Sequence, residues 1–244
     1  MGTGLSRAET ILLAADAWPP FNAVPGDEHQ GYMVDIAKEI FEKEGHTVKY
    51  VILPWKRALT EVEKGTVHGV IGASKGDGQG LVFPRQELAR NVLSFYKKKG
   101  DSFRFTGEKS LPGVRLGVIK GYDYRKWLNS YIQKNHEDLS RIEVITGNDP
   151  LQRNLKKLLA GRLGAVVDNE AAIRSVAKSM GILSQIEVAG YGTEPSYCYI
   201  AFSPKKPSSQ GYADILSRGI FNMRARGRLA EILSIYGLTD WRSE

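Results

Sequence analysis

The residues best suited to chemistry lie between Gly69 and Gly80. There the apolar run Gly69-Val-Ile71 opens into a polar turn that holds Gly72, Gly76, Gly78 and Gly80 around Ser74, Lys75 and Asp77. A strand running into such a turn can offer backbone N–H groups, a hydroxyl and an ammonium to a small anion. Neither G-x-x-x-x-G-K-[ST] nor G-x-G-x-x-G can be laid on these residues, so no ready-made phosphate loop is present. Taken alone, the pattern also describes a surface turn. The neighbouring elements must decide between the two.

Those elements alternate. Thr10 to Ala15 reads as a buried strand that runs into Asp16-Ala-Trp18-Pro-Pro-Phe21, where the prolines stop it and hold two aromatics. Trp18 is a candidate ligand platform, and Phe21 a plug in the core. A helix from about Met33 to Lys43 follows, with Met33, Ile36, Ala37, Ile40 and Phe41 on one face and Gly45 at its end. Val48 to Leu53 is the next strand, and Pro54-Trp55 opens a helix to about Lys64. The order β-α-β-α-β predicts a parallel sheet covered by helices. Ligands of such sheets sit at the carboxyl ends of strands. By that rule Asp16, Trp18, Trp55 and Ser74 converge on one crevice.

A second alternating block follows. Asn91 to Tyr96 and Ser102 to Phe105 read as strands around the basic turn Lys97 to Gly100. Val114 to Ile119 is a strand ending in Gly121-Tyr122-Asp123, and the helix after it carries Tyr124, Trp127, Leu128, Tyr131 and Ile132 on one face. Ile142 to Thr146 is a strand. Asp149 and Pro150 read as N-cap and first residue of the next helix. Ala165 to Val167 ends in Asp168-Asn169-Glu170, again a strand end bearing polar groups, and a helix to Met180 follows. Strands at Ile186 to Ala189 and Tyr197 to Phe202 precede two helices, about Gln210 to Arg226 and Arg228 to Tyr236, broken by Gly227.

Composition narrows the function classes. The 244 residues, 42% hydrophobic and 25% charged, suffice for one large or two small folded domains. The formal charge of +7 is spread along the chain. Its densest groups, Lys97-Lys98-Lys99 and Arg218, Arg224, Arg226 and Arg228, read as solvated faces, so no nucleic-acid partner is expected. The single cysteine, Cys198, excludes an internal disulfide. His29, His46, His68 and His136 show no ligand spacing, so neither a metal nor a cofactor is expected. No apolar run reaches the roughly 18 residues of a membrane helix. The first ten residues lack the apolar segment of a signal peptide, which fits a cytosolic chain or an exported one whose signal has been removed.

Four segments together resemble a known family. They are Trp18-Pro-Pro-Phe21 with Gly31-Tyr-Met-Val-Asp-Ile-Ala-Lys38; Pro54-Trp55 with Val67-His-Gly-Val-Ile-Gly-Ala-Ser74; Gly161-Arg-Leu-Gly-Ala-Val-Val-Asp168; and Gly227-Arg-Leu-Ala-Glu-Ile-Leu-Ser-Ile-Tyr-Gly237. In this order they resemble the family 3 extracellular solute-binding proteins, the periplasmic receptors of polar amino acid ABC transporters. The resemblance implies an α/β fold of two lobes joined by two hinge strands: lobe 1 from residues 1–95 and 200–244, lobe 2 from 96–199. It implies a monomeric periplasmic protein whose partners are a small polar solute, an amino acid or related organic anion, and the membrane permease of an importer.

By position, Trp18 and Trp55 then look like aromatic walls, and Ser74 like the hydroxyl that binds a carboxylate. Gly121, Tyr122 and Asp123 look like the lobe 2 turn meeting the same group, and Asp168 or Asn169 like the ammonium-binding acid. The family usually has an arginine after the serine loop, where this chain has Gln79; Lys75 or Arg57 is then the substitute cation. Two other readings stay open on the same fold. One is a prephenate- or arogenate-dehydratase-like enzyme using Asp123, Asp168 or Glu170 as base; the other is a sensory input domain.

Overall fold

A computed structural model describes residues 8–242. The chain divides into two compact units. The first takes the described chain up to Ala89 and again from Tyr197; the second spans Arg90–Ser196.

The first sheet takes strands β1 (Thr10–Ala15), β2 (Thr47–Ile52), β3 (Gly69–Ala73), β4 (Ala89–Asn91) and β10 (Ser196–Phe202), in the order β2-β1-β3-β10-β4; the boundary of the first unit falls within β4, after Ala89, and within β10, before Tyr197. β1 pairs parallel with β2 and β3, and β10 runs antiparallel to β3. Helix α1 (Tyr32–Lys43) buries Tyr32, Met33, Ile36, Ala37, Ile40 and Phe41, the face its periodicity predicts. The Met, Ile and Phe side chains among them contribute about 1.5–3 kcal/mol each on burial. Gly31 precedes it at φ 100, and a Cβ there would lie 2.4 Å from Asn22 Cα, so only glycine fits this entry. α2 (Trp55–Lys64) ends on Gly65 in the left-handed region. The chain closes with α6 (Ser209–Ala225) and α7 (Arg228–Ile235), separated by Gly227.

The second unit holds β5 (Leu93–Lys98), β6 (Leu116–Ile119), β7 (Ile142–Ile145), β8 (Ala165–Asn169) and β9 (Ile186–Tyr191), in the order β7-β6-β8-β5-β9. β6 is parallel to β7 and β8, while β5 is antiparallel to β8 and β9. Helices α3 (Arg125–Asn135), α4 (Pro150–Leu159) and α5 (Glu170–Ser179) follow β6, β7 and β8. Phe95 and Phe105 stack at 3.7 Å in its core beside Leu116, Val118 and Leu128.

Three expectations are corrected. Lys97 is not in a solvated turn: it lies in β5 and is fully buried, its ammonium donating to the Asp101 carbonyl and paired with Glu187 at 3.1 Å, which offsets the buried charge. Ser102 to Phe105 forms no strand. It is a loop fixed by the Phe105 N–H on the Ala189 carbonyl and by the Phe103 N–H on the Asp101 carboxylate, so Phe105 is buried and Phe103 half-buried without a strand of their own. Asp149 does precede α4, with Pro150 in the first turn, but at φ 49 its side chain makes no capping hydrogen bond. Its left-handed backbone turns the side chain away from the geometry a cap requires.

Candidate functional site

In the first unit the candidates gather at the carboxyl ends of β1 and β3. Trp18 is 8% exposed and lies flat on Phe21, with ring centroids 4.0 Å apart. The turn is closed by the Trp18 N–H on the Asn22 carbonyl, while the Asn22 amide donates to the Asp16 carbonyl. Burial pushes the Tyr50 phenol well up; the Asn22 hydrogen bond opposes this and the Asp16 carboxylate adds to it. Trp18 also sits over Gly72, whose added Cβ would be 3.6 Å from the ring. Asp16, Trp18 and the start of the glycine loop are thus neighbours although more than fifty residues separate them in sequence.

Past β3 the loop folds onto its own side chains. The Ser74 N–H donates to Asp77 Oδ2 at 2.7 Å, and the Gly76 N–H to Ser74 Oγ at 3.3 Å. The Gln79 N–H donates to Glu63 Oε1 at 2.9 Å, so an acid stands beside Gln79. Ser74 is buried, and the Lys75 ammonium lies over the Tyr199 ring at 5.5 Å. Trp55 is 7% exposed at the first position of α2. Arg57 points into solvent, its side chain 68% exposed and 3.9 Å from Glu61. The structure therefore gives Arg57 a partner on its own helix rather than in the serine loop.

In the second unit the polar groups stand at the carboxyl ends of β6 and β8. Gly121 turns the chain at φ 87 and the Tyr122 N–H returns to the Ile119 carbonyl. The Asp123 carboxylate accepts from the Arg125 N–H at 3.0 Å, from Asn129 Nδ2 at 2.8 Å and from Arg125 Nη1 at 3.2 Å. Arg125 also donates through Nη2 to Ser196 Oγ. Its φ of 74 is a costly value for a long side chain, about 1–3 kcal/mol, held in place by these contacts.

On β8, Asp168 is 3% exposed and accepts the Asn169 N–H at 2.7 Å. Asn169 caps α5 by accepting from the Ala171 N–H, and donates to Asn91 Oδ1 at 3.0 Å. That double use is what an N-cap does in a folded unit. Glu170 accepts from the Tyr96 hydroxyl at 3.2 Å. Burial and the Glu170 charge push that phenol up to about 12.

Sequence reasoning named Asp16, Trp18, Trp55, Ser74, Lys75, Gly121, Tyr122, Asp123, Asp168 and Asn169 from strand ends and resemblance. It missed Arg125, Asn129, Asn91 and Ser196. Arg125 stands two residues after Asp123 and could have been noted as the guanidinium of that turn. Ser196 is 71 residues from Arg125 and carries no sequence signal. A cavity of about 180 Å³ in the first unit contains none of the candidates; it is lined by Ile40, Lys43, Arg218, Met223, Arg226 and others of α1, α6 and the start of α7. Among the described residues no helix is long and apolar enough to cross a membrane, and no cluster of three or more His, Cys, Asp or Glu could hold a metal ion.

The family model of bacterial extracellular solute-binding proteins, family 3, matches residues 11–239. A search of curated proteins by sequence finds no match. Solved structures resemble the chain along almost its whole length. A histidine kinase sensor domain with similarity to periplasmic binding proteins has a TM-score of 0.77 at 17% identity, covering 96% of this chain and 98% of its own. A chain from work on glutathione import through GshT and the cystine ABC importer TcyBC of Streptococcus mutans has a TM-score of 0.77 at 18% identity, covering 94% and 95%. An ancestral arginine-binding protein bound to arginine has a TM-score of 0.72 at 19% identity, covering 94% and 98%. At such identities the likeness is one of fold: mixed α/β with two sheets, of the two-lobed periplasmic-binding-protein kind.

Proposed function

Since the chain belongs to the family 3 bacterial extracellular solute-binding proteins, we propose that it captures a small polar solute, an amino acid or related organic anion, for an ABC importer. The observation that carries this reading is the family match over residues 11–239, laid on two α/β units that each present polar turns at the carboxyl ends of parallel strands. The turns proposed to meet the solute are Asp16–Trp18, Trp55 and Ser74–Lys75 in the first unit, and Gly121–Asp123 with Asp168–Asn169 in the second. Arg57 is the weakest member of this set, because its side chain is solvated and paired with Glu61. The protein acts outside the cytoplasm, in the periplasm, as a monomer, and hands the solute to a membrane permease. It binds without chemical conversion.

A panel of amino acids and small organic acids tests this by thermal unfolding. A solute at a hundred times its Kd should stabilise the native state by about 2.7 kcal/mol. A panel in which no solute raises the Tm would remove the reading. A second reading is favoured by one observation, the sensor-domain likeness: the same receptor feeding a signalling protein. Reconstitution with an importer encoded beside it separates the two, since a sensor would bind the solute and support no uptake.

A further inference from the structure

The cavity of the first unit that holds none of the solute candidates has a chemistry of its own. Its volume is about 180 Å³, and its floor is apolar, Ile40 of α1 with Gly219 and Met223 of α6. Four cations, Lys43, Arg218, Arg226 and Arg228, share its lining with one acid, Glu44. Two of the four are engaged. Lys43 pairs with Glu39 at 2.7 Å, and Arg228 with Glu39 at 2.9 Å and Glu231 at 2.8 Å. The side chains of Arg218 and Arg226 make no hydrogen bond or ion pair among the described residues.

Spacing on α6 sets this wall. Arg218, Asn222 and Arg226 follow at intervals of four and stand on one face of the helix. Arg226 is the C-cap, where a cation is favourable on any helix. Arg218 is mid-helix and has no such reason to be there. Two unanswered guanidiniums on one wall raise the local positive potential, which an anion relieves. The wall is also far from the candidate turns of this unit. Gly31 precedes α1 and packs on Asn22 of the Trp18 turn, whereas Ile40, Lys43 and Glu44 stand at the other end of that helix. From Gly31 to Ile40 the helix rises roughly 14 Å.

We propose that the cavity is a second binding site, apart from the solute turns, and that it takes a phosphate group carried on a short apolar stem. The phosphate lies between Arg218 and Arg226 with the Asn222 amide donating to it, and the stem rests on Ile40 and Met223. A phosphate fits better than a carboxylate because it offers more oxygens, enough to serve two guanidiniums and an amide at once. The volume falls below the roughly 300 Å³ of a drug-sized pocket, which limits the stem to a few carbons. Soluble phosphate esters and phospholipid headgroups share this chemistry. Phe221, 61% exposed and three residues after Arg218, would meet the acyl region in the second case.

Two probes test the full chain at one salt concentration. They are glycerol 1-phosphate by isothermal titration, and vesicles of phosphatidylglycerol by co-sedimentation, counted above vesicles of phosphatidylcholine. The variants are Arg218→Gln with Arg226→Gln and, as an equal charge change elsewhere, Lys98→Gln with Lys99→Gln, both exposed in the second unit. At least one probe should bind wild type; the arginine pair should weaken it at least about tenfold, and the lysine pair less than about twofold. Binding of glycerol 1-phosphate assigns a soluble ester, and binding of the vesicles alone a lipid headgroup. Binding of neither probe, an arginine pair that binds like wild type, or a lysine pair that weakens binding equally would overturn the site. Both arginines are exposed and unpaired, so the variant should keep the wild-type Tm within about a degree or two. Its solute-induced rise in Tm should also be unchanged, and loss of that rise would overturn the separation of the two sites.

Discussion

A Cβ built on Gly219 of α6 would lie 2.5 Å from Ile40 Cγ2 of α1. Ile40 is 4% exposed and cannot swing into solvent. The two helices approach as closely as they do because residue 219 has no side chain. Gly219→Ala sets two effects against each other. Alanine in a helix interior gains up to about 1 kcal/mol over glycine. Overpacking costs about 1–3 kcal/mol. The clash should win, with a net loss of up to about 2 kcal/mol in urea unfolding. Ile40→Ala removes all three contacting carbons, so the double variant should be more stable than the sum of the single changes by about 1 kcal/mol. Strict additivity would show that the two residues do not limit this packing.

Glu87 anchors the end of the described chain. It accepts from Trp241 Nε1 at 3.0 Å and, through both oxygens, from Arg242 at 2.6 and 2.8 Å. Burial would raise its carboxyl, but the Arg242 and Trp241 hydrogen bonds prevail and pull it from 4.5 down to about 2. A carboxyl depressed on folding stabilises fully above its unfolded value and loses that contribution as pH falls through the folded one. Wild type should therefore weaken between about pH 4.5 and 2 more steeply than Glu87→Gln. At pH 7 the variant should be less stable by about 1–2 kcal/mol, a modest figure because Arg242 is 45% exposed. Parallel acid-unfolding curves would remove this role.

His68 has the opposite chemistry. Its Nδ1 accepts the Leu12 N–H at 3.0 Å, which requires the neutral ring on that side. Burial lowers its affinity for a proton and the Lys206 charge lowers it further, while Glu9 opposes them. Below pH 6.5 the unfolded chain then takes the proton before the folded one, so stability is present above that value and declines on acidification. Chemical-shift titration should place His68 below its ordinary midpoint, and His68→Asn, which keeps an acceptor, should flatten the decline of stability on acidification below about pH 6.5. A midpoint at or above the ordinary value would contradict the assignment.

Ser74 and Trp55 separate binding from folding. Ser74→Ala leaves the Asp77 contact to the Ser74 N–H in place and removes the acceptor for Gly76, so the apoprotein should lose about 1 kcal/mol or less. The ligand-induced rise in Tm should disappear. Trp55→Ala should cost the fold itself about 3–5 kcal/mol, because the ring is buried. Trp55→Phe is the cleaner probe, and should weaken binding while keeping most of the packing. Undiminished ligand stabilisation in both Ser74→Ala and Trp55→Phe would move the site elsewhere.

Periodicity determined most of the elements here, Ser102 to Phe105 being an exception. The i, i+3, i+4 spacing of Met33, Ile36, Ala37 and Ile40 has one solution, a helix laid on a sheet. The strand–helix alternation from Thr10 to Ala73 leaves little choice but parallel pairing of β1, β2 and β3. Those are local or near-local constraints, so the residues themselves express them. Strand ends were legible for the same reason, and with them Ser74, Gly121–Asp123 and Asp168–Asn169.

What each polar group does was decided only in three dimensions, because hydrogen-bond partners come from anywhere in the chain. Asn169 is a helix cap tied to Asn91, 78 residues away. Trp18 reads in sequence as a candidate platform, and only the fold shows its ring stacked on Phe21 and set against Gly72. Arg125 is held only in three dimensions, by Asp123 beside it and by Ser196, 71 residues away. The glycine loop at Ser74 kept its place at the end of β3, as the alternation required. Asp77 of the loop and Glu63 of α2 took up two of the N–H groups, those of Ser74 and Gln79, that composition alone had offered to an anion.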